Sequence, residues 1–179
     1  MAGAFTCISK IDDREIIAAL DRLRARGGRL APAFKNIGEA LLRSTRERFD
    51  SQADPDGRPW QDLRASTIAA KAARGHSTKV LRQRGHLADT IRYQADEGGV
   101  RIGTNRIYGA IHQFGGKTKA HVIKPSGKKT LAWPGARHPV RSVNHPGSEI
   151  PARPFLGISR TDRERILEVV CDHLGMKTP

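Results

Sequence analysis

Apolar residues recur at helical spacing in several stretches of the chain and at strand spacing in one. Ile16, Leu20 and Leu23 fall at i, i+4 and i+7 behind Asp12-Asp13-Arg14-Glu15. An N-cap oxygen with an acid three positions on takes up the exposed amides of a first turn, so a helix is expected near 12 to 26, ended by Gly27-Gly28. A second helix, 32 to 50, opens near Pro32, whose fixed φ suits a first turn, and aligns Phe34, Ile37, Leu41 and Phe49 on one stripe. Its other face (Lys35, Glu39, Arg43, Arg46, Glu47) mixes signs, as solvated helices do. Ile166, Val170 and Leu174 stripe a last helix, 160 to 174, which Thr161-Asp162-Arg163-Glu164 opens as a capping box and Gly175 ends.

Between these helices the period changes. Leu87, Ile91 and Tyr93 lead into Val100 and Ile102, which alternate about Arg101 as a half-buried strand does, and Glu97-Gly98-Gly99 signals the tight turn of a β-hairpin. Ile107, Ile111 and Phe114 return to helical spacing over 106 to 114, stopped by Gly115-Gly116. Residues 4 to 8 are β-prone and short, and 65 to 73 have helix propensity with little apolar bulk, the mark of a short surface helix or a mobile one. In the turn cluster Asp54 to Trp60, Pro55 presets the turn, Gly57 supplies positive φ, and Trp60 is expected to bury ~200 Å² and pin the loop. Pro151 and Pro154 hold 151 to 157 extended, because each proline restricts its predecessor. The predicted fold is one α+β domain over residues 1 to 179, with amphipathic helices on a small, mostly antiparallel sheet.

Charge adds a second feature. The 179 residues carry 32 Lys and Arg against 18 Asp and Glu, a net charge of +14. From Leu63 to Pro146 there are 16 cations against three acids, while the rest of the chain is balanced at 16 against 15. The 51 residues from Gly98 to Ser148 hold no acid. From Lys117 to Ile150 no long period survives, and these 34 residues include four Pro, three Gly and seven Lys and Arg. We expect a basic arm here, with His121-Val122-Ile123 and Thr130-Leu131-Ala132-Trp133 as strands turned at Ser126-Gly127. A merely solvated surface mixes signs, so Lys117, Lys119, Lys124, Lys128, Lys129, Arg137 and Arg141 are read as contacts to phosphates or to an acidic protein. Trp133 is the arm's only aromatic, which argues against base stacking on single strands.

Catalytic patterns are weaker. Gly115-Gly116-Lys117-Thr118 resembles the end of a phosphate-binding loop, but the first glycine of that motif would fall at Ile111. The seven histidines form no H-x-x-x-H pair, and Cys7 and Cys171 lie near opposite ends without a clustered partner. Cys171 sits in an apolar helix stripe and is read as core. No catalytic residue, metal site or cofactor is indicated, two lone cysteines suit a reducing compartment, and no apolar run approaches the ~20 residues of a membrane span.

Several segments, in order, resemble the virion morphogenesis family of tailed bacteriophages, the tail completion or neck proteins of Mu-like phages. They are Phe49 with Pro55-Asp56-Gly57-Arg58-Pro59-Trp60 and Leu63; Leu81 with Gly85-His86-Leu87 and Ile91; Val100-Arg101-Ile102-Gly103-Thr104-Asn105 with Tyr108; Ile111-His112-Gln113-Phe114-Gly115-Gly116; and Ile150-Pro151-Ala152-Arg153-Pro154-Phe155-Leu156-Gly157. One departure falls at Arg84-Gly85, where the family pattern favours a small hydroxyl residue before the glycine. The resemblance implies a non-enzymatic structural protein of the virion neck, made in the host cytoplasm, that joins tail to head. It implies a homo-oligomeric ring, hexameric in the family, around the DNA path, with the tail terminator and head-tail connector as partners, genomic DNA in the channel and no membrane. For the His112-Gln113-Phe114-Gly115 run an architectural role is expected, as a helix end with Phe114 buried and Gly115 as its cap. The rival, which needs only the charge, is a free-standing, sequence-nonspecific nucleic-acid-binding protein.

Overall fold

The computed structural model describes residues 14–25, 29–127, 129–132 and 137–173. Among these residues five α-helices, α1 (Arg14–Ala25), α2 (Ala31–Ser51), α3 (Ala65–Ala72), α4 (Gly109–Phe114) and α5 (Arg160–His173), combine with short antiparallel strand pairs in an α+β fold. The strand expected at 4 to 8, the caps at Asp12-Asp13 and Gly27-Gly28, the ends at Leu174 and Gly175, and Lys128 and Trp133 all lie outside the described residues, as does the Leu23 side chain.

α2 is the spine. Its stripe of Phe34, Ile37 and Leu41 is buried with Ile16 of α1 and with Ile166 and Val170 of α5, forming one half of the core. Phe49, one turn from its C-terminus, centres the other half with Trp60, Val80, Leu87, Ile91 and Phe155. β1 (Ile91–Asp96) and β2 (Gly99–Thr104) form the expected hairpin, registered Tyr93 to Ile102, and it packs on α2. The hairpin turn also caps the helix: Glu97 Oε2 accepts from the amides of Leu30 at 2.7 Å and Ala31 at 3.2 Å. α2 has no side-chain cap of its own, so a carboxylate 66 to 67 residues downstream supplies one, where the helix dipole also favours it.

Four sequence expectations are corrected. α5 is capped two residues earlier than expected, by Ser159 and Asp162: Ser159 Oγ accepts from the Asp162 amide (3.1 Å) and Asp162 Oδ2 from the Ser159 amide (2.8 Å). The helix expected at 106 to 114 begins only at Gly109 and turns its apolar stripe outward, leaving Ile107 89% and Phe114 56% exposed. Its buried residue is Gly109, where a Cβ would stand 2.8 Å from Thr104 Cγ2. Cys171 is only half-buried, where the sequence suggested core. Finally, His121–Ile123 (β4) pairs with Val143–His145 (β5), not with residues 130 to 132 of the expected partner strand. β3 (Gly116–Lys117) pairs with β6 (Glu149–Ile150) in the same register, and Leu131 bridges Val140. The segment therefore returns on itself well beyond Ser126-Gly127, because its partner strand lies just ahead of β6 and Pro151.

Candidate functional site

Among the described residues no strand pairs with the extended segment 153 to 157, and buried backbone needs partners. Side chains provide them. Trp60 Nε1 donates to Pro154 O (2.9 Å), Arg48 Nη1 to Phe155 O (3.1 Å) and Gly157 O (2.9 Å), and Gln113 Nε2 to Leu156 O (2.8 Å). Four consecutive carbonyls are thus satisfied by three side chains. On the amide side, Phe155 N and Leu156 N both donate to Gln113 Oε1 at 3.0 Å, and Arg153 N donates to His112 O at 2.7 Å. The Arg153 guanidinium is itself buried and donates from Nε and Nη2 to Gln61 O.

Neighbouring residues shape that seam. Phe49 meets Trp60 edge-on at 5.5 Å and Phe155 at 5.4 Å between ring centroids. Gly115 adopts φ 73° and ψ −179°, and a Cβ there would stand 2.8 Å from Ala152 N, so only glycine lets α4 end against the segment. Gly157 lies against Pro55, whose Cγ would be 2.6 Å from a Cβ. Asp54, at the head of the Pro55-Asp56-Gly57 turn, accepts from the Asp56 and Arg58 amides through Oδ1, and Gly57 takes φ 81°. Asp56 itself is exposed. Thr104 Oγ1 and Thr90 Oγ1 are 3.0 Å apart, tying the hairpin's end to the turn before β1, while Gly103 pairs with Arg92 in the ladder. Tyr108 stands edge-on to His112 at 6.0 Å.

Sequence reading missed Arg48. It is buried, forms an ion pair with Asp162 and donates to Ser44 Oγ as well as to the two carbonyls. Burial lowers its pKa, and the Asp162 carboxylate opposes that shift. The signal was present: Arg48 falls seven residues after Leu41, on the apolar stripe of α2 rather than its polar face.

The cations of the basic segment lie elsewhere. Lys117, Lys119, Lys124, Lys129, Arg137 and Arg141 are all exposed, and among the described residues none of these six side chains forms an ion pair. Lys117 sits in β3 opposite Glu149, Lys119 and Lys124 flank β4, and Lys129, Arg137 and Arg141 lie between β4 and β5. Stacked rings of His121 and His145, 5.2 Å apart, cross-link β4 and β5. Among the described residues no group of three or more His, Cys, Asp and Glu is placed to hold a metal ion, and no helix is long and apolar enough to cross a membrane.

The model of the phage virion morphogenesis family matches residues 11–175. This chain belongs to that family. Its relatives include protein G of Escherichia phage Mu, whose name provisionally assigns it to capsid assembly, 31% identical over 89% of this chain and 88% of that protein. Another is the Mu-like prophage FluMu G protein 2 of Haemophilus influenzae, 28% identical over 91% of each chain. FluMu G protein 1 of the same organism is 29% identical over 45% of this chain and 57% of its own. No solved structure matches. The virion morphogenesis assignment covers the whole seam, from Phe49 through Gln113 to Gly157.

Proposed function

We propose that this chain is a non-enzymatic structural protein of the virion neck, a tail completion protein that assembles as a ring around the DNA path and joins tail to head. Membership of the virion morphogenesis family supports a structural or assembly role, and the capsid-assembly name of the Mu relative agrees with a place at the head. The observation that carries the finer reading is the set of exposed cations Lys117, Lys119, Lys124, Lys129, Arg137 and Arg141, without an ion pair among the described residues. Repeated around a ring, such a segment builds a positive field at a lumen or an acidic neighbour without any base-reading group.

The test is electron microscopy of particles assembled with and without the protein. Unjoined heads and tails in its absence, and ring-shaped density at the neck in its presence, are the expected result. Tight binding of duplex DNA by the free monomer at ~150 mM salt, with no copy in purified particles, would favour the rival nucleic-acid-binding role and overturn this one. In the same particles, charge reversal at Lys117, Lys119, Lys124 and Lys129 is expected to impair joining while leaving the fold intact.

A further inference from the structure

Between the buried residues Val80 and Leu87 the chain forms one wall of a cavity of about 500 Å³, which α3 and α4 bound on other sides. Two residues of this stretch are left-handed, Leu81 at φ 56° and Gly85 at φ 77°. Glycine takes that conformation freely, and a Cβ at 85 would strike the Asp89 carboxylate. A leucine takes it at a cost and holds it only where the surroundings enforce it. Here Gln52 enforces it from the N-terminal side: its Oε1 accepts from the Val80 amide at 2.5 Å and its Nε2 donates to Val80 O at 3.2 Å.

The three residues between the left-handed pair, Arg82-Gln83-Arg84, are held far less firmly. Among the described residues Gln83 and Arg84 make no hydrogen bond or ion pair, and the Arg82 amide reaches Lys79 O only at 3.4 Å. Their one close fastener is Arg82 Nη1 to Asp50 Oδ1 at 2.9 Å, between side chains 33% and 57% exposed. A pair so exposed is weak and screened by salt. Meanwhile Arg82 Nε and His112 Nδ1, on two residues that line the cavity, are buried with no partner. Buried polar groups are normally satisfied, so the closed arrangement carries two unmet nitrogens as well as the strained Leu81.

We propose that Arg82-Gln83-Arg84 is a strap that opens as a unit on hinges at Leu81 and Gly85, unfastened at Asp50, while Val80 and Leu87 stay anchored in the core. One motion relieves all three costs, because Leu81 returns to negative φ and water entering the cavity reaches Arg82 Nε and His112 Nδ1. Against opening stand the ion pair and the packing of the Leu81 side chain on the core. Asp50 also lies 3.8 Å from Lys79 Nζ, so it keeps a cation when Arg82 leaves. The open strap presents the Arg82 and Arg84 guanidiniums to solvent together, and ionic strength sets the balance between the two states. The inference does not depend on where in the virion the protein sits.

The closed strap shields Arg82 Nε–H from water, so exchange of that proton requires opening. The experiment is hydrogen exchange followed by NMR on the full-length protein, comparing Arg82 Nε–H with the Val80 amide, which exchanges only when Gln52 lets go. Each measured against its rate in an unfolded peptide, Arg82 Nε–H is expected to be at least about tenfold less protected than the Val80 amide. Asp50→Asn keeps the shape and removes the charge, and is expected to speed the Arg82 exchange about fivefold while leaving Val80 unchanged. Leu81→Asn and Leu81→Ala both remove the leucine packing, but asparagine tolerates the left-handed turn, so the Asn variant should open about threefold less often than the Ala variant. Equal protection of the two protons in the unmutated protein, Arg82 exchange that ignores Asp50→Asn, or equal exchange in the two Leu81 variants overturns the proposal.

Discussion

Gln113 and Leu156 are joined by hydrogen bonds in both directions: the Leu156 amide donates to Gln113 Oε1 at 3.0 Å and Gln113 Nε2 donates to Leu156 O at 2.8 Å. The side-chain amide thus pairs with the segment as a strand residue would, and a second amide, that of Phe155, shares the same oxygen. Gln113→Leu keeps the bulk and removes all three bonds beside a buried phenylalanine. The expected cost is about 3 kcal/mol, or roughly 10 °C in Tm for a chain of this size, measured by thermal denaturation.

Asp162 holds two jobs, the Arg48 ion pair and the cap on Ser159. Asp162→Ala strands a buried guanidinium and uncaps α5, so a loss of about 3 to 5 kcal/mol is expected in urea unfolding. Asp162→Asn should destabilise less, since the amide oxygen can still serve Ser159.

Trp60 separates packing from polar contact. Trp60→Ala is expected to cost about 3 to 5 kcal/mol, because the ring is buried against Phe49. Trp60→Phe retains a ring but drops the bond to Pro154 O, and about 1 to 2 kcal/mol is the expected loss in the same unfolding measurement.

Two glycines with similar φ should respond differently to alanine. Gly57→Ala meets open space at φ 81°, so the backbone penalty of about 1 kcal/mol stands alone. Gly115→Ala adds a clash with the Ala152 and Ile150 backbone to a φ/ψ region that glycine alone adopts readily, and should cost at least about 3 kcal/mol. Equal losses in the two variants would mean that the seam yields around residue 115.

His112 makes stability depend on pH. Burial first, and the Arg153 charge second, lower its pKa below the ordinary 6.5, so the unfolded chain takes up its proton before the folded one does. Stability is therefore expected to fall as pH drops below about 6.5 and to level off once the folded ring titrates too. His112→Asn should flatten that part of the profile, checked by denaturant midpoints across the acid range.

Much of the fold was legible in the sequence. The stripe Phe34-Ile37-Leu41-Phe49 became the spine because burial of one helical face is a local, periodic property, and Glu97-Gly98-Gly99 turned the hairpin for reasons equally local. Helical spacing misled at Ile107-Ile111-Phe114, since periodicity reports a shared face and not what covers it. The partner of β4 was missed because short strands of similar composition compete, and only the continuation from the seam fixes which returns. Of the site, the motif residues could be marked, but their work could not: nothing in the order of residues says that Trp60, Gln113 and Arg48 would converge on the same four carbonyls.

That convergence also sets a path for force. The basic segment leaves the body at Gly116 and re-enters at Ile150, a directly paired position, and the next residues are those that Gln113, Trp60 and Arg48 grip. A pull on the segment is therefore carried in shear across many hydrogen bonds aligned along 153 to 157, straight to the C-terminal half of α2 and the start of α5. A protein built this way resists traction at its most exposed element by sharing the load over its core instead of peeling from a loop.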